Sequence, residues 1–149
     1  MVKRFPENPI LAPKDILPSQ PGLVVECVMN PGAFRFEGKD WLLLRVAERP
    51  VQKEGTVSFP ILQENGKMKI LEFEKKDPLL DLSDPRMVGY KGKAYLSTIS
   101  HLRLVCSEDG VHFYEPADFP TKIVGNGPLE TFGIEDCRVS VIDGVYHLT

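Results

Sequence analysis

The sequence predicts an all-β fold of repeated hairpins, and three observations carry the prediction. Thirteen prolines and twelve glycines among 149 residues exceed the roughly 12% of average chains and favour many short elements over long helices. From Val24 onward, short apolar runs alternate with glycine-bearing turns, the pattern of strand, tight turn and strand. The third observation is an internal repeat. Residues 84–97 lie over residues 136–149 without a gap, at an offset of 52 residues, with Asp, Arg, Gly and Leu coinciding. A weaker copy, Phe36 to Leu42, sits 54 residues before Tyr90. Hairpins at this period indicate the blades of a β-propeller, in which each blade's innermost strand lines a central channel where ligands bind. Closed propellers have at least about four blades, so at this period the 149 residues are expected to hold roughly the first two to three.

The elements follow in order. Five prolines, Pro6, Pro9, Pro13, Pro18 and Pro21, make residues 1–25 an extended arm, and residues 26–149 form the propeller part. VVECVM is the first strand. Hairpins then follow as FRF and DWLLLRV around EGK, TVSFPIL and MKILEF around QENGK, and MVGY and AYLSTI around KGK. LRLVC and VHF are expected to pair across SEDG, with Ser107 and Asp109 bonding the loop backbone and Gly110 at positive φ. RVSVI and VYHLT pair across Asp143-Gly144. The last run stops inside a strand at Thr149, so the sequence reads as the N-terminal part of a longer propeller chain.

Several function classes are excluded. Eighteen basic against 21 acidic residues give a net charge of −3, which argues against general nucleic-acid binding. No apolar run approaches the roughly 20 residues of a membrane span; the longest, Trp41 to Leu44, has four. The start is basic at Lys3 and Arg4 but runs into Pro6, Glu7 and Pro9 without the apolar segment of a secretory signal, so a cytoplasmic protein is expected. Cys27, Cys106 and Cys137 are odd in number and lack a CxxC pair, the usage of reduced, buried thiols. His101, His112 and His147 have no metal-ligand spacing, and neither a metal nor a cofactor is expected.

The chemistry-bearing residues cluster at strand heads. Glu135-Asp136-Cys137-Arg138 follows the glycine-rich Gly125-Asn126-Gly127-Pro128. Strand alternation would send Asp136 and Arg138 to one face and Glu135 to the other. A carboxyl beside arginine stays ionised, so Asp136 could act as a general acid only where burial or an anion raised its pKa; the same pair would equally serve to pin neighbouring blades. Asp84 and Arg86 are its counterparts in the preceding repeat, at a strand start that Pro85 favours. Asn30, in Asn30-Pro31-Gly32-Ala33, and Arg45, closing WLLLR, are polar groups in apolar context. A buried arginine needs an anion or several hydroxyls, which makes Arg45 a site candidate. Arg49 is expected at the rim.

NPGA at 30–33, LLLRVAERP at 42–50, SHLRLVCSEDGVHF at 100–113 and above all ETFGIEDCRVSVIDGVYHLT at 130–149 resemble glycoside hydrolase family 130, the inverting β-mannoside phosphorylases and their hydrolytic relatives. The resemblance implies a five-bladed propeller with the sugar site at its channel. It implies Asp136 as the catalytic acid, acting through a sugar hydroxyl, and Asn30 and Arg45 as sugar contacts. Glu135 and Arg138 would shape the acid's surroundings. Asp84 and Arg86 rest on the internal repeat, not on the resemblance: their place at a strand start favours a structural role, and they are carried as further substrate-binding candidates. The implied partners are a β-mannooligosaccharide and either inorganic phosphate or water as the attacking group. One position departs from the pattern: the proline usual after the acid is Cys137, which frees φ and restores an N–H. A carbohydrate-binding propeller without catalysis is the alternative, and unpaired blade edges would invite association into a homo-oligomer.

Overall fold

The computed structural model describes residues 6–63 and 65–149; the basic start at Lys3 and Arg4 and Glu64, within the expected QENGK turn, lie outside the described residues. Among the described residues eleven strands follow in order: β1 (Leu23–Phe36), β2 (Lys39–Pro50), β3 (Thr56–Leu62), β4 (Met68–Glu74), β5 (Leu80–Asp81), β6 (Met87–Tyr90), β7 (Lys93–Leu96), β8 (Ile99–Ser107), β9 (Lys122–Ile123), β10 (Val139–Ile142) and β11 (Val145–Leu148). They form an antiparallel sheet ordered β1-β2-β8-β9, a three-stranded sheet β5-β6-β7, and the hairpins β3-β4 and β10-β11. The chain is all-β and forms part of a β-propeller. Among the described residues no helix is long and apolar enough to cross a membrane.

The sequence repeat has a conformational cause. The turns Glu37-Gly38, Lys91-Gly92 and Asp143-Gly144 carry positive φ at both residues, between 49° and 78°. These are primed turns, whose twist matches that of the flanking strands. Aromatic side chains join the hairpins: Phe34 of β1 meets Tyr146 of β11 edge-on at 5.4 Å, and Phe59 of β3 meets Tyr95 of β7 at 5.0 Å.

Two expectations are corrected. LRLVC and VHF do not form a hairpin. Instead β8 pairs along its length with β2, and through Leu102 and Arg103 with β9. Ser107 Oγ accepts from Gly110 N at 2.9 Å and Asp109 Oδ1 from His112 N at 2.8 Å. With its N–H groups satisfied locally, the chain coils through 108–113 and rejoins the sheet only at the Cys106–Tyr114 bridge. Second, the first strand is not limited to VVECVM, since β1 runs on through NPGA to Phe36.

Strands β2 and β8 are central and buried on both faces, which is why their apolar runs show little alternation. One face carries Leu43 and Leu102, packed with Cys137, Ile134 and Val139. The other carries Leu44, Val46 and Val105, covered by Ile16 and Leu11 from the segment preceding β1. Beside that second core lies a polar layer of Glu48, His101 and Arg103, exposed by 0%, 3% and 1%. Arg103 donates to Glu115 Oε1 at 2.6 Å and lies 3.0 Å from His101 Nε2. Burial, with Arg103 and Lys122 adding to it against the opposing pull of Glu48 and Glu115, lowers the His101 pKa to about 4. Unfolded, the ring binds a proton near pH 6.5, so the unfolded chain holds more protons between these limits and stability is lost as pH falls through them. The loss should reach about 3 kcal/mol near pH 4. Urea unfolding at pH 7 and near pH 4.5 reads it, with His101→Gln as the comparison. A wild-type stability no more pH-sensitive than the variant's would contradict it.

Candidate active site

Two irregularities in the backbone build the site. In β1 the register slips between Met29, opposite Arg45, and Gly32, opposite Leu43, so Asn30 and Pro31 stand against the single Leu44. Proline cannot donate to the ladder, and Asn30 takes φ 42°, a conformation asparagine tolerates better than most residues. The resulting bulge turns the Asn30 amide toward residue 136.

The second irregularity is the segment from Gly133 to Arg138, which is not strand. Gly133 pairs with Ser100 as an isolated parallel bridge, and Ile134 N donates to Ser100 O at 3.0 Å. Ile134 and Cys137 sink into the Leu43–Leu102 core, and Asp136 between them adopts φ 51°. Anchored at 134 and 137, the segment presents both intervening carboxylates to the same arginine. The expected alternation, with Glu135 and Asp136 on opposite faces, is therefore overturned. A left-handed residue in place of extended backbone removes the period of two on which it rested.

Arg45 is the hub. It donates from Nη1 to Asp136 Oδ1 at 2.8 Å, from Nη2 to Glu135 Oε1 at 2.6 Å and from Nε to Ser100 Oγ at 3.2 Å. Its side chain is 18% exposed, and these acceptors supply what burial of a guanidinium demands. Asn30 Nδ2 donates to the same Asp136 oxygen at 2.9 Å. The Asn30 amide first, and then the Arg45 guanidinium, hold the Asp136 carboxyl below its usual value, which favours the ionised form at neutral pH. Asp136 and Asn30 both occupy the left-handed region and bond each other. Strained backbone of this kind concentrates at functional sites.

Arg45 and Glu135 line a cavity of about 770 Å³ together with Asp84, Arg86, Arg49 and Glu26. Asp84 and Arg86 thus share the cavity with Arg45, but they bond each other at 2.9 Å, and Arg86 lowers the Asp84 pKa. Arg138 is not their structural counterpart. Its Nη1 donates to the carbonyls of Cys137 at 3.0 Å and Asn30 at 3.3 Å, tying the two irregular segments together behind the carboxylates. The two Asp-x-Arg pairs diverge because Pro85 fixes a turn with Asp84 accepting from Arg86 N at 2.8 Å, whereas Asp136 is claimed by residues from β1 and β2. Arg49 stands in the cavity wall, 2.5 Å from Glu26. Ser100 and Gly133 are the contributors that the sequence reading did not single out. Neither is charged or part of a periodic run, and what marks them is pairing: Ser100 lies opposite Ala47 on β2 and is bridged to Gly133. The thiols of Cys27, Cys106 and Cys137 are all free.

No family model matches the chain. It is 35% identical over 153 aligned positions, 99% of its length, to a β-1,2-mannobiose phosphorylase of Listeria innocua serovar 6a, of which it spans 42%. It also superposes on the solved structure of the β-1,2-mannobiose phosphorylase from Listeria innocua in complex with β-1,2-mannobiose. The TM-score is 0.85 at 35% identity, over 97% of this chain and 42% of that one.

Proposed function

We propose that the protein belongs to glycoside hydrolase family 130 and cleaves β-mannosidic linkages with inversion by phosphorolysis, with β-1,2-mannobiose as the substrate to test first. The observation that carries the proposal is the Asp136 carboxylate, held by Asn30 and Arg45 beside a cavity large enough for sugar, in a chain similar to a β-1,2-mannobiose phosphorylase.

In this reading Asn30 and Arg45 grip both the acid and the sugar hydroxyls. Glu135 shares the Arg45 guanidinium and limits how far that cation can hold the acid ionised. Asp84 and Arg86 offer hydroxyl partners from the cavity wall, and Arg138 fixes the loop. Phosphate attacks the anomeric carbon from the face opposite the leaving sugar. The glycosidic C–O bond breaks in the same displacement, and the departing oxygen takes a proton that originates on Asp136 and passes through a sugar hydroxyl. No covalent sugar-enzyme intermediate forms. Phosphate is already an anion and needs no general base.

The lowered pKa of Asp136 has a chemical consequence. The carboxyl must gain its proton as the site fills. Sugar displaces water from it, and a phosphate anion in the same cavity adds negative charge; both raise a carboxyl pKa. In this reading the reacting partners are a β-mannooligosaccharide and inorganic phosphate. The three free thiols suit a reducing, cytoplasmic setting. Product analysis with and without inorganic phosphate tests the proposal.

A further inference from the structure

The segment preceding β1 docks at three points on the face of the β2-β8 sheet opposite the candidate active site. Ile16, 6% exposed, packs into the core of Leu44, Val46 and Val105. Leu17 O accepts from Arg103 Nη1 at 3.2 Å. Ser19 donates from N to Glu48 Oε1 at 2.6 Å and from Oγ to Glu48 Oε2 at 2.5 Å. Lys122 of β9 adds a bond from Nζ to Ser19 O at 3.2 Å.

These anchors fall on the neighbours of the site residues. Leu44 and Val46 flank Arg45 on β2, and Glu48 is three residues further on. On β8, His101 follows Ser100, the residue that holds the Arg45 Nε and whose carbonyl receives the Gly133–Ile134 bridge. The register sets Val46 against His101 and Ala47 against Ser100. Glu48 is fully buried, and a buried carboxyl without its donors carries a desolvation penalty. The Ser19 contacts therefore couple docking of the segment to the height of β2 in the sheet.

We propose that residues 16–19 are a positioning strap, which holds the β2 and β8 backbone so that Arg45 and Ser100 stay within bonding distance of Asp136 and Glu135. The consequence for catalysis rests on the reading of Asp136 and Arg45 as the reacting site; the mechanical coupling does not.

The test uses the full-length protein as Ser19→Ala, Ile16→Ala and the conservative Ser19→Thr. Amide hydrogen exchange is followed at residues 42–47, 99–102 and 134–136. Ser19→Ala and Ile16→Ala should speed exchange at all three segments by about tenfold, the scale of one hydrogen bond to a carboxylate, and Ser19→Thr should restore wild-type exchange. With β-1,2-mannobiose as substrate, the first two should raise KM and lower kcat together, because displacements near 1 Å are felt strongly in bound geometry. A merely structural segment would lower the amount of folded protein at unchanged KM. Faster exchange confined to residues 11–20, with KM unchanged, would overturn the proposal. A protein inactive on every mannoside would defeat the functional reading alone, since exchange still reports on the strap.

Discussion

Asp136→Asn is expected to lower kcat for β-mannoside phosphorolysis by about 10²–10⁴-fold, the usual contribution of a general acid, while sugar affinity stays close to wild type. The amide keeps the size of the carboxyl and one oxygen for the Arg45 and Asn30 donors, which lie 2.8 and 2.9 Å away. It cannot supply a proton. The guanidinium of Arg45 also keeps Glu135 at 2.6 Å, so the loop retains an ionic tie and the fold should persist. Initial rates together with titration calorimetry separate the two effects. Near-normal turnover in a folded variant would remove Asp136 from the acid's role.

Gly133→Ala should be almost as damaging, although residue 133 touches no substrate in this account. Its φ is 90°, and a Cβ there would stand 2.2 Å from Ser100 O and 3.0 Å from Ser100 N. Both obstacles are backbone atoms of a central strand, so the 133–136 segment must move instead. That breaks the Ile134 N to Ser100 O bond and withdraws both carboxylates from Arg45. A loss of about 2–4 kcal/mol in stability is expected from strain and the broken bridge. A fall of about 10²-fold in kcat/KM is expected from the displaced acid. Urea unfolding and initial-rate assays measure the two separately. A variant with wild-type activity would contradict the role assigned to this close approach.

The hairpins were legible because their cause is local. A two-residue turn with positive φ at both positions favours Asp-Gly, as at Asp143-Gly144, while at Lys91-Gly92 the glycine alone carries the signal, and the apolar runs on either side fix the strands. The partnership of β2 with β8 was not legible. More than 50 residues separate Arg45 from Ser100, and a strand buried on both faces carries no period to align. The site shows the same division. Arg45 stood out as a cation closing an apolar run, and Glu135 and Asp136 as carboxylates beside Arg138. Their convergence on one guanidinium depends on a left-handed Asp136 held between two core anchors, Ile134 and Cys137. Alternation along an assumed strand could not yield that. The Asn30 bulge was half visible: Asn-Pro-Gly announces a break in a ladder, but its aim follows from the register with β2.

The most direct test of the account is to incubate the full-length protein with β-1,2- and β-1,4-linked mannobiose, with and without inorganic phosphate, and to assay mannose 1-phosphate and free mannose. The account predicts mannose 1-phosphate formed only when phosphate is present, with the β-1,2-linked substrate consumed faster and Asp136→Asn inactive in the same assay. Free mannose released at the same rate without phosphate would contradict it and would direct attention to a second carboxylate able to activate water across the cavity from Asp136.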